Sequence, residues 1–262
     1  FQLNGTAFTY TRPSSNTTDG RNDTIILKVT VTDGDGDTAE QSVTVNTVAA
    51  PLFNDAPSGG SSVVTTDEGN IPGIGSGTET SATQPFGAAT DGSFKMELHG
   101  ADATVTIGGT ELKVENGKLY HNGVEVTADA AVSVPGGAHG TLTVTGMDAG
   151  GTVHYTYTLT APVDATGNAS NRPGEGDAGR GEAVHAFDVS ITTTGGTATG
   201  QITVDALDDA PVLSTLDTTQ TTVADGEAAL TGTLSFTPGA DAEGAQVTVE
   251  VEGQTFTGTK AN

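Results

Sequence analysis

Apolar and polar residues alternate along most of the chain, and many of the apolar positions hold β-branched or aromatic residues. A period of two places successive side chains on opposite faces of an extended strand, and Gly, Asp and Asn separate the segments as turn residues. No window has an apolar stripe of helical period. The pattern therefore predicts an all-β fold, with strands at Ile25–Thr32, Gln41–Val45, Thr104–Ile107, Gly140–Val144, Val153–Leu159, Phe187–Thr192, Gly200–Val204, Gln246–Val251 and Thr255–Thr257.

Two stretches interrupt this alternation. Asn54–Thr90 is rich in Gly, Ser, Thr and Pro with few large apolar residues, and Asp164–Glu182 is longer than a hairpin requires. Loops of such length are usually functional, ordered by a metal, or mobile. We therefore expect both stretches to be loops.

Similar segments recur along the chain. Lys28–Val45 resembles Asp188–Val204, and each is followed by an acidic pair and Ala-Pro. A second pair of similar segments begins at Phe94 and at Phe236. A fixed period of this kind is typical of repeat proteins, and here the period is roughly 140–155 residues.

The repeats predict a division of the chain into three parts. Residues 1–50 would be the C-terminal part of a repeat, 51–211 a complete repeat, and 212–262 the N-terminal part of the next. In the second pair, the segment that starts at Val105 aligns with the one that starts at Val247. An incomplete sandwich lacks strands, so we expect the two flanks to pair with each other or with neighbours.

Charge narrows the classes of partner. The chain has 33 Asp and Glu against 9 Lys and Arg, a net charge of −24. Nucleic acids and anionic membranes attract cationic surfaces, so this balance excludes both, and there is no apolar run long enough to span a bilayer. Divalent cations are the expected partner, the alternative being an acidic surface suited to a salty environment.

Cysteine and tryptophan are absent, and aromatic residues make up 5% of the chain. Neither disulfides nor thiolate metal sites can therefore exist. A core built from Val, Leu, Ile, Ala and Thr methyl groups favours several thin β-sandwiches in tandem over one large globule. A module without disulfides must rely on core size, tandem packing or a metal held by oxygen ligands.

The segment Asp33–Asp37 (DGDGD) lies between two predicted strands and is the leading candidate metal site. Its glycines permit a tight turn in which Asp33, Asp35 and Asp37 can converge, and a hard cation such as Ca²⁺ needs six to eight oxygen ligands. An EF-hand is excluded because its sixth and twelfth positions would be Thr38 and Thr44. The alternative is a plain Asp-Gly turn without metal.

The acids beside the two Ala-Pro linkers are further candidates, because a cation at a junction can bridge one module to the next. These residues are Asn54, Asp55, Asp208 and Asp209, with Asp67, Glu68, Asp225 and Glu227 as junction partners. A solvated acidic linker is the alternative explanation. The second copy of the hairpin turn, Thr192–Thr197, has no acids and cannot bind calcium in the same way.

Catalytic motifs are absent from the sequence. It contains no phosphate-binding lysine loop, no Gly-x-Ser-x-Gly and no His-Glu-x-x-His, and its five histidines never form close pairs. A sugar-cleaving cleft with paired acids is disfavoured because Trp is missing and only 4 Tyr are present. We therefore predict that the chain is not an enzyme.

The order of these motifs resembles that of repeats in giant type I-secreted RTX adhesins. A strand, DGDGDTA, a second strand and then Asn/Asp-Asp-Ala-Pro resemble the end of their cadherin-like repeats, and Gly140–Leu159 is similar to the core of their VCBS-type repeats. The resemblance implies immunoglobulin-like extender domains on the bacterial cell surface, rigidified by calcium after secretion. By position, it carries calcium ligation to Asp33, Asp35, Asp37, Asp55, Asp208 and Asp209.

Two departures from the family pattern stand out. The full repeat has lost its acidic hairpin turn, and the Gly-Gly-x-Gly-x-Asp nonapeptide of the secretion β-roll is absent. We predict a calcium-stiffened extender of an adhesin that serves cell adhesion and biofilm formation. Its partners would be neighbouring repeats of the same chain and calcium, with surface glycans or proteins bound through other domains. The alternatives are a sugar- or peptide-binding module of the same adhesin and a self-associating fibre module.

Overall fold

The computed structural model describes residues 2–4, 7–9, 23–53, 61–74, 87–135, 139–163, 183–207, 212–218, 232–237, 240 and 245–259. In this part of the chain the fold is all-β, as predicted, and its one helical element is a 3₁₀ turn, Glu68–Asn70. The strands are β1 Gln2–Asn4, β2 Ala7–Thr9, β3 Asp23–Thr32, β4 Thr38–Thr47, β5 Leu52–Phe53, β6 Ser61–Asp67, β7 Ala89–Glu97, β8 Ala103–Ile107, β9 Thr110–Glu115, β10 Lys118–His121, β11 Val124–Glu125, β12 Val132–Val134, β13 Gly140–Met147, β14 Thr152–Leu159, β15 Ala183–Thr193, β16 Gly196–Leu207, β17 Val212–Thr218, β18 Gly232–Thr237, β19 Gln246–Val251 and β20 Gln254–Thr259.

Strands β5 to β16 form two sheets that share one core, here called the central sandwich. One sheet has seven strands in the order β11-β10-β9-β8-β15-β16-β6, and the other has five in the order β12-β13-β14-β7-β5. All neighbours are antiparallel except β6, which runs parallel to β16. The buried side chains of both sheets belong to a single hydrophobic cluster, so the two layers pack face to face.

Alternation along the strands determines which side chains enter this core. In β8 and β14 every second residue is buried, as the sequence pattern predicts. Tyr155 and Tyr157 on β14 are the largest fully buried side chains. Gly92 on β7 and Gly140 on β13 leave room for their rings, since a Cβ at Gly92 would lie 2.4 Å from the Tyr155 ring. Burial raises the pKa of the Tyr157 phenol.

The remaining strands of the described part form two-stranded sheets of their own: β1–β2, β3–β4, β17–β18 and β19–β20. The β3–β4 and β19–β20 hairpins expose large apolar side chains, among them Val31 and Phe256. A lone hairpin is marginally stable in water, because it buries little apolar surface. These hairpins therefore have a face that is suited to further packing.

The prediction of a loop over Asn54–Thr90 is wrong in its middle. The Ser-Val-Thr segment of β6 is a strand because its backbone pairs in parallel with β16, with Val64 opposite Val204. A 3₁₀ turn follows it, and β7 begins at Ala89. The predicted loop Asp164–Glu182 lies outside the described residues, and the module boundaries at 50 and 211 stay a prediction.

A meander of β9, β10 and β11 was also absent from the predicted strands. Two Asn-Gly turns connect it, Asn116–Gly117 and Asn122–Gly123, and all four residues have positive φ angles of 50–80°. Such turns match the right-handed twist of the strands that they join. The meander widens the seven-stranded sheet on the side away from β16.

Candidate metal site

The turn between β3 and β4 brings three carboxylates together. Asp33 Oδ1 accepts backbone N–H bonds from Asp35 at 3.3 Å, Gly36 at 3.1 Å and Asp37 at 2.9 Å. Gly36 has a φ of +100°, which an L side chain rarely adopts, so glycine is required at this point of the turn. The Asp33 carboxylate thus holds the backbone in the bent conformation.

Asp33, Asp35 and Asp37 each offer an oxygen, and these oxygens lie within 4.8 Å of one another. All three side chains are exposed, so solvent and ions reach them freely. The pKa of Asp33 lies below its ordinary value, first because of a hydrogen bond with the Asp35 carboxyl group and further because of the backbone N–H donors. At neutral pH the Asp33 carboxylate is therefore ionised.

This donor set suits a hard cation. It consists only of oxygens, as Ca²⁺ prefers, and it contains neither nitrogen nor sulfur ligands, which select zinc or copper. Three carboxylates supply half of the six ligands that Ca²⁺ needs at least, and turn carbonyl groups and water can supply the others. The predicted residues Asp33, Asp35 and Asp37 are thus the acids that the fold brings together.

The equivalent turn of the central sandwich, Thr194–Gly195 between β15 and β16, has a different environment. A Cβ on Gly195 would lie 2.0 Å from the carbonyl oxygen of Ala49, so the turn packs directly against the segment that precedes β5. A side chain therefore has no room at position 195, whereas Thr192, Thr194 and Thr197 of the same turn are exposed.

Asp67 and Glu68, the predicted junction partners, are buried at the end of β6, with side chains only 2% and 1% exposed. Asp67 caps the 3₁₀ turn, because its Oδ1 accepts the Gly69 N–H at 2.9 Å. Glu68 Oε1 accepts the backbone N–H of Val163, which is 95 residues away in sequence. Both acids thus hold the end of β6 in place.

The linker acids Asn54, Asp55, Asp208 and Asp209 lie outside the described residues, as do Asp225 and Glu227. Their sequence neighbours nevertheless have defined places. Leu207, which precedes Asp208, is in register with Asp67 in the β6–β16 pair. Among the residues that the structure describes, Asp67 and Glu68 do not join a group of three acids.

A further ordered acid was missed in the sequence. Asp148, in the turn between β13 and β14, accepts the N–H groups of Gly150 at 2.9 Å and Thr152 at 2.8 Å through Oδ1. The hydrogen bond from the Thr152 backbone is the main cause that lowers the Asp148 pKa. His154 Nε2 is 3.8 Å from Asp148 Oδ2. The signal that could have revealed it is the Asp-Ala-Gly-Gly turn between two alternating segments.

A surface groove runs over β9 and β10. Its wall contains acidic, basic and aromatic side chains, including Glu111, Lys113 and Tyr120, and His121 hydrogen-bonds through Nδ1 with the Glu111 carbonyl oxygen at 3.0 Å. Such mixed polar surfaces can hold sugars or extended peptides, although Tyr120 offers only one aromatic ring on which a sugar could stack.

Comparison with known proteins identifies no family. No protein-family model matches the chain, and no curated protein does. Among solved structures, domains 4 and 5 of the S-layer protein SbsC align over 70% of both chains, with 10% identity and a TM-score of 0.19. An endo-fucoidan hydrolase from glycoside hydrolase family 107 aligns over 71% of this chain and 34% of its own, with 12% identity and a TM-score of 0.16. Scores so low carry no argument about function.

No helix among the described residues is long and apolar enough to cross a membrane.

Proposed function

We propose that the chain is a structural extender segment of a large secreted bacterial surface adhesin, in which bound Ca²⁺ stiffens a row of β-sandwich modules. The observation that carries the proposal is the convergence of Asp33, Asp35 and Asp37 within 4.8 Å on a pre-bent turn. The role is mechanical and not catalytic. The order of repeats that resemble those of RTX adhesins supports a place at the cell surface.

Electrostatics supports a role for cations. A net charge of −24 makes the modules repel one another and themselves unless salt or bound ions intervene. Three exposed carboxylates on one turn concentrate that repulsion, and a divalent ion there replaces it with attraction. Binding to the folded turn then stabilises it, because the unfolded chain has no preformed site.

The junction acids extend the same argument. Asp67 and Glu68 are buried at the end of β6, beside the register position of Leu207, and Asp208 and Asp209 follow Leu207 in sequence. A cation held by these groups would link the last strand of the module to its first, and would remove freedom at the linker.

Calorimetric titration with Ca²⁺ tests the proposal. The native chain should bind with a Kd of about 10⁻⁴–10⁻³ M, as extracellular calcium modules do, and Mg²⁺ should bind more weakly because it demands a rigid octahedral cage. Asp35→Asn should remove one binding event. Asp129→Asn, which neutralises an exposed acid outside the cluster, is the matched control and should bind like the native chain. Equal binding isotherms for both variants would contradict a site at Asp33–Asp37.

Stiffening is measured separately by small-angle scattering. Addition of Ca²⁺ to chelated protein should raise the maximum dimension and reduce the spread of shapes, because neutralised joints bend less. An unchanged scattering profile, with binding intact, would leave a calcium-binding module without the mechanical role.

A second candidate function rests on the groove over β9 and β10, which would make the chain a sugar- or peptide-binding module of the same adhesin. A glycan array is the direct test. Binding that Tyr120→Ala abolishes would favour this function over the extender.

A further inference from the structure

The hairpin β3–β4, near the N-terminus, is a copy of the β15–β16 hairpin in its strand pairing. Val31 pairs with Ala39 as Ile191 pairs with Ala198, and the match continues along the ladder with one additional residue in the acidic turn. The environments differ: Ile191 is 0% exposed in the core, whereas Val31 is 63% exposed. Within the part of the chain that the structure describes, β3–β4 therefore has the apolar face of a sandwich strand pair but no second sheet packed on it.

The C-terminal hairpin, β19–β20, is in the same way a copy of β8–β9. Val249 pairs with Phe256 as Val105 pairs with Leu112, and both turns have two residues with positive φ. Leu112 is 0% exposed and Phe256 is 57% exposed. The apolar face of this hairpin is also exposed, at Val249, Val251 and Phe256.

In the central sandwich these two kinds of hairpin are joined edge to edge. Strand β15 pairs antiparallel with β8, with Val189 opposite Ile107 and Ile191 opposite Val105. The Gly108 N–H donates to the Asp188 carbonyl oxygen at 2.9 Å at the end of this seam. The two terminal hairpins thus correspond to the two halves of a seam that the same chain already forms once.

The edge of β3 that faces away from β4 presents the backbone N–H and C=O groups that a seam like β8–β15 requires. The Asp33 N–H donates to the Asp37 carbonyl oxygen at 3.0 Å, so by alternation along the strand the N–H and C=O groups of Thr30 and Thr32 point away from β4. In the described part of the chain, β3 pairs with β4 alone and β19 with β20 alone. Superposed on the β8–β15 register, the basic Lys28 would lie opposite the acidic Glu252.

We propose that β3 of one copy pairs antiparallel with β19 of a second copy, with Val29 opposite Val251 and Val31 opposite Val249. The two surfaces lie on different hairpins of the chain, so each contact leaves one free hairpin at either end. Copies therefore join head to tail instead of in closed pairs. Backbone hydrogen bonds form the seam, so it does not depend on calcium at Asp33–Asp37.

Cysteine cross-linking tests the register, because the chain has no cysteine. Val31→Cys and Val249→Cys, prepared as separate proteins and mixed, should form a mixed disulfide dimer on mild oxidation, since directly opposed Cβ atoms come close enough for a disulfide. Both residues are exposed, so the substitutions leave the hairpins intact. The control pair Thr30→Cys with Val249→Cys should yield at least about tenfold less, because residue 30 points to the opposite face.

Each outcome decides the proposal. A mixed dimer in both Ca²⁺ and chelator, in excess of the two homodimers, supports it. Equal yields from the test and control pairs would overturn the register. A chain that carries both Val31→Cys and Val249→Cys tests pairing within one molecule. If this double variant forms an internal disulfide as a dilute monomer while the mixed single variants do not cross-link, β3 pairs with β19 of the same chain and the proposal fails.

Light scattering gives an independent measurement. The native chain should show a molar mass that rises with concentration, and Thr30→Pro should weaken association by about tenfold or more because it removes an edge N–H and inserts a ring into the seam. Thr30→Ala keeps the N–H and is the control. A constant monomer mass for the native chain at all concentrations would overturn the proposal.

Discussion

The buried side chain of Glu68 gives the sharpest test of how the central sandwich holds the end of β6. Glu68 is 1% exposed, and it accepts the backbone N–H of Val163, which follows β14. Leaving a buried backbone N–H without its acceptor costs about 1–3 kcal/mol. Glu68→Ala should therefore lower the free energy of unfolding by about that amount, since the Val163 N–H loses its acceptor.

For a module of this size, about 1 kcal/mol corresponds to 2–4 °C in the midpoint of thermal unfolding. Glu68→Ala should thus melt about 2–12 °C below the native chain when both are measured in chelator by circular dichroism. Glu68→Gln is the matched variant, because its amide oxygen can still accept the Val163 N–H. We expect it to lose less than half as much.

Calcium then separates two roles of the same residue. If Glu68 ligates Ca²⁺ at the junction, Ca²⁺ should raise the native midpoint but not that of Glu68→Gln. If it serves only as an acceptor, both midpoints should rise equally. A Glu68→Ala chain that melts like the native one in chelator would refute the argument, because the hydrogen bond would then contribute nothing.

Three further predictions concern single features. Gly140→Ala should lower the free energy of unfolding by about 1–3 kcal/mol in denaturant titrations, because its Cβ would meet a backbone oxygen at 2.5 Å, whereas Gly258→Ala, with nothing within 4 Å, should be neutral. Asp148→Ala should raise the amide exchange rate of Thr152, which loses its acceptor, and an unchanged rate would contradict the geometry of that turn. The pKa of Asp33 is lowered in the folded turn, so ionised Asp33 stabilises this turn at pH values above its ordinary pKa of 3.8. That stabilisation is lost as the pH falls through the lowered pKa of the folded state, so chemical shifts of the turn should change below pH 3.8 and not near neutrality.

The sequence predicts strands well where one face is buried. Strand β14 alternates strictly, and its predicted bounds differ from the observed ones by a single residue. Strand β6 was missed because its Ser and Thr residues look like loop composition and its partner β16 is more than 130 residues away. The Asn-Gly turns of the β9–β11 meander are a strong local hairpin signal that could have been used.

The second pair of similar segments, those that begin at Phe94 and at Phe236, shows that an alternating pattern alone does not determine the alignment. The sequence matched Val105 with Val247, but the turns Gly108–Gly109 and Glu252–Gly253 match Val105 with Val249. A Val-Thr-Val pattern is unchanged by a shift of two residues, because both alignments keep the same face inward. Turn residues with positive φ have no such ambiguity, and they decide the alignment.

The residues of the candidate site also differ in how far the sequence predicts their arrangement. Spacing alone predicted that Asp33, Asp35 and Asp37 converge, because all three lie within one tight turn. Burial of Asp67 and Glu68 could not be deduced from local sequence, and the partner of Glu68, Val163, follows β14 of the other sheet. Local geometry follows from local sequence, whereas burial depends on the whole fold.

The parallel pairing of β6 with β16 has a consequence for a protein under tension. The chain enters the seven-stranded sheet through β6 and leaves it through β16, with seven residue pairs in register from Ser61 to Asp67. A pull on both ends of the module acts along these strands in opposite directions and loads the ladder in shear. Its hydrogen bonds must then rupture together, whereas a hairpin pulled at its open end unzips one bond at a time, so this strand pair would act as the clamp that sets the force of unfolding.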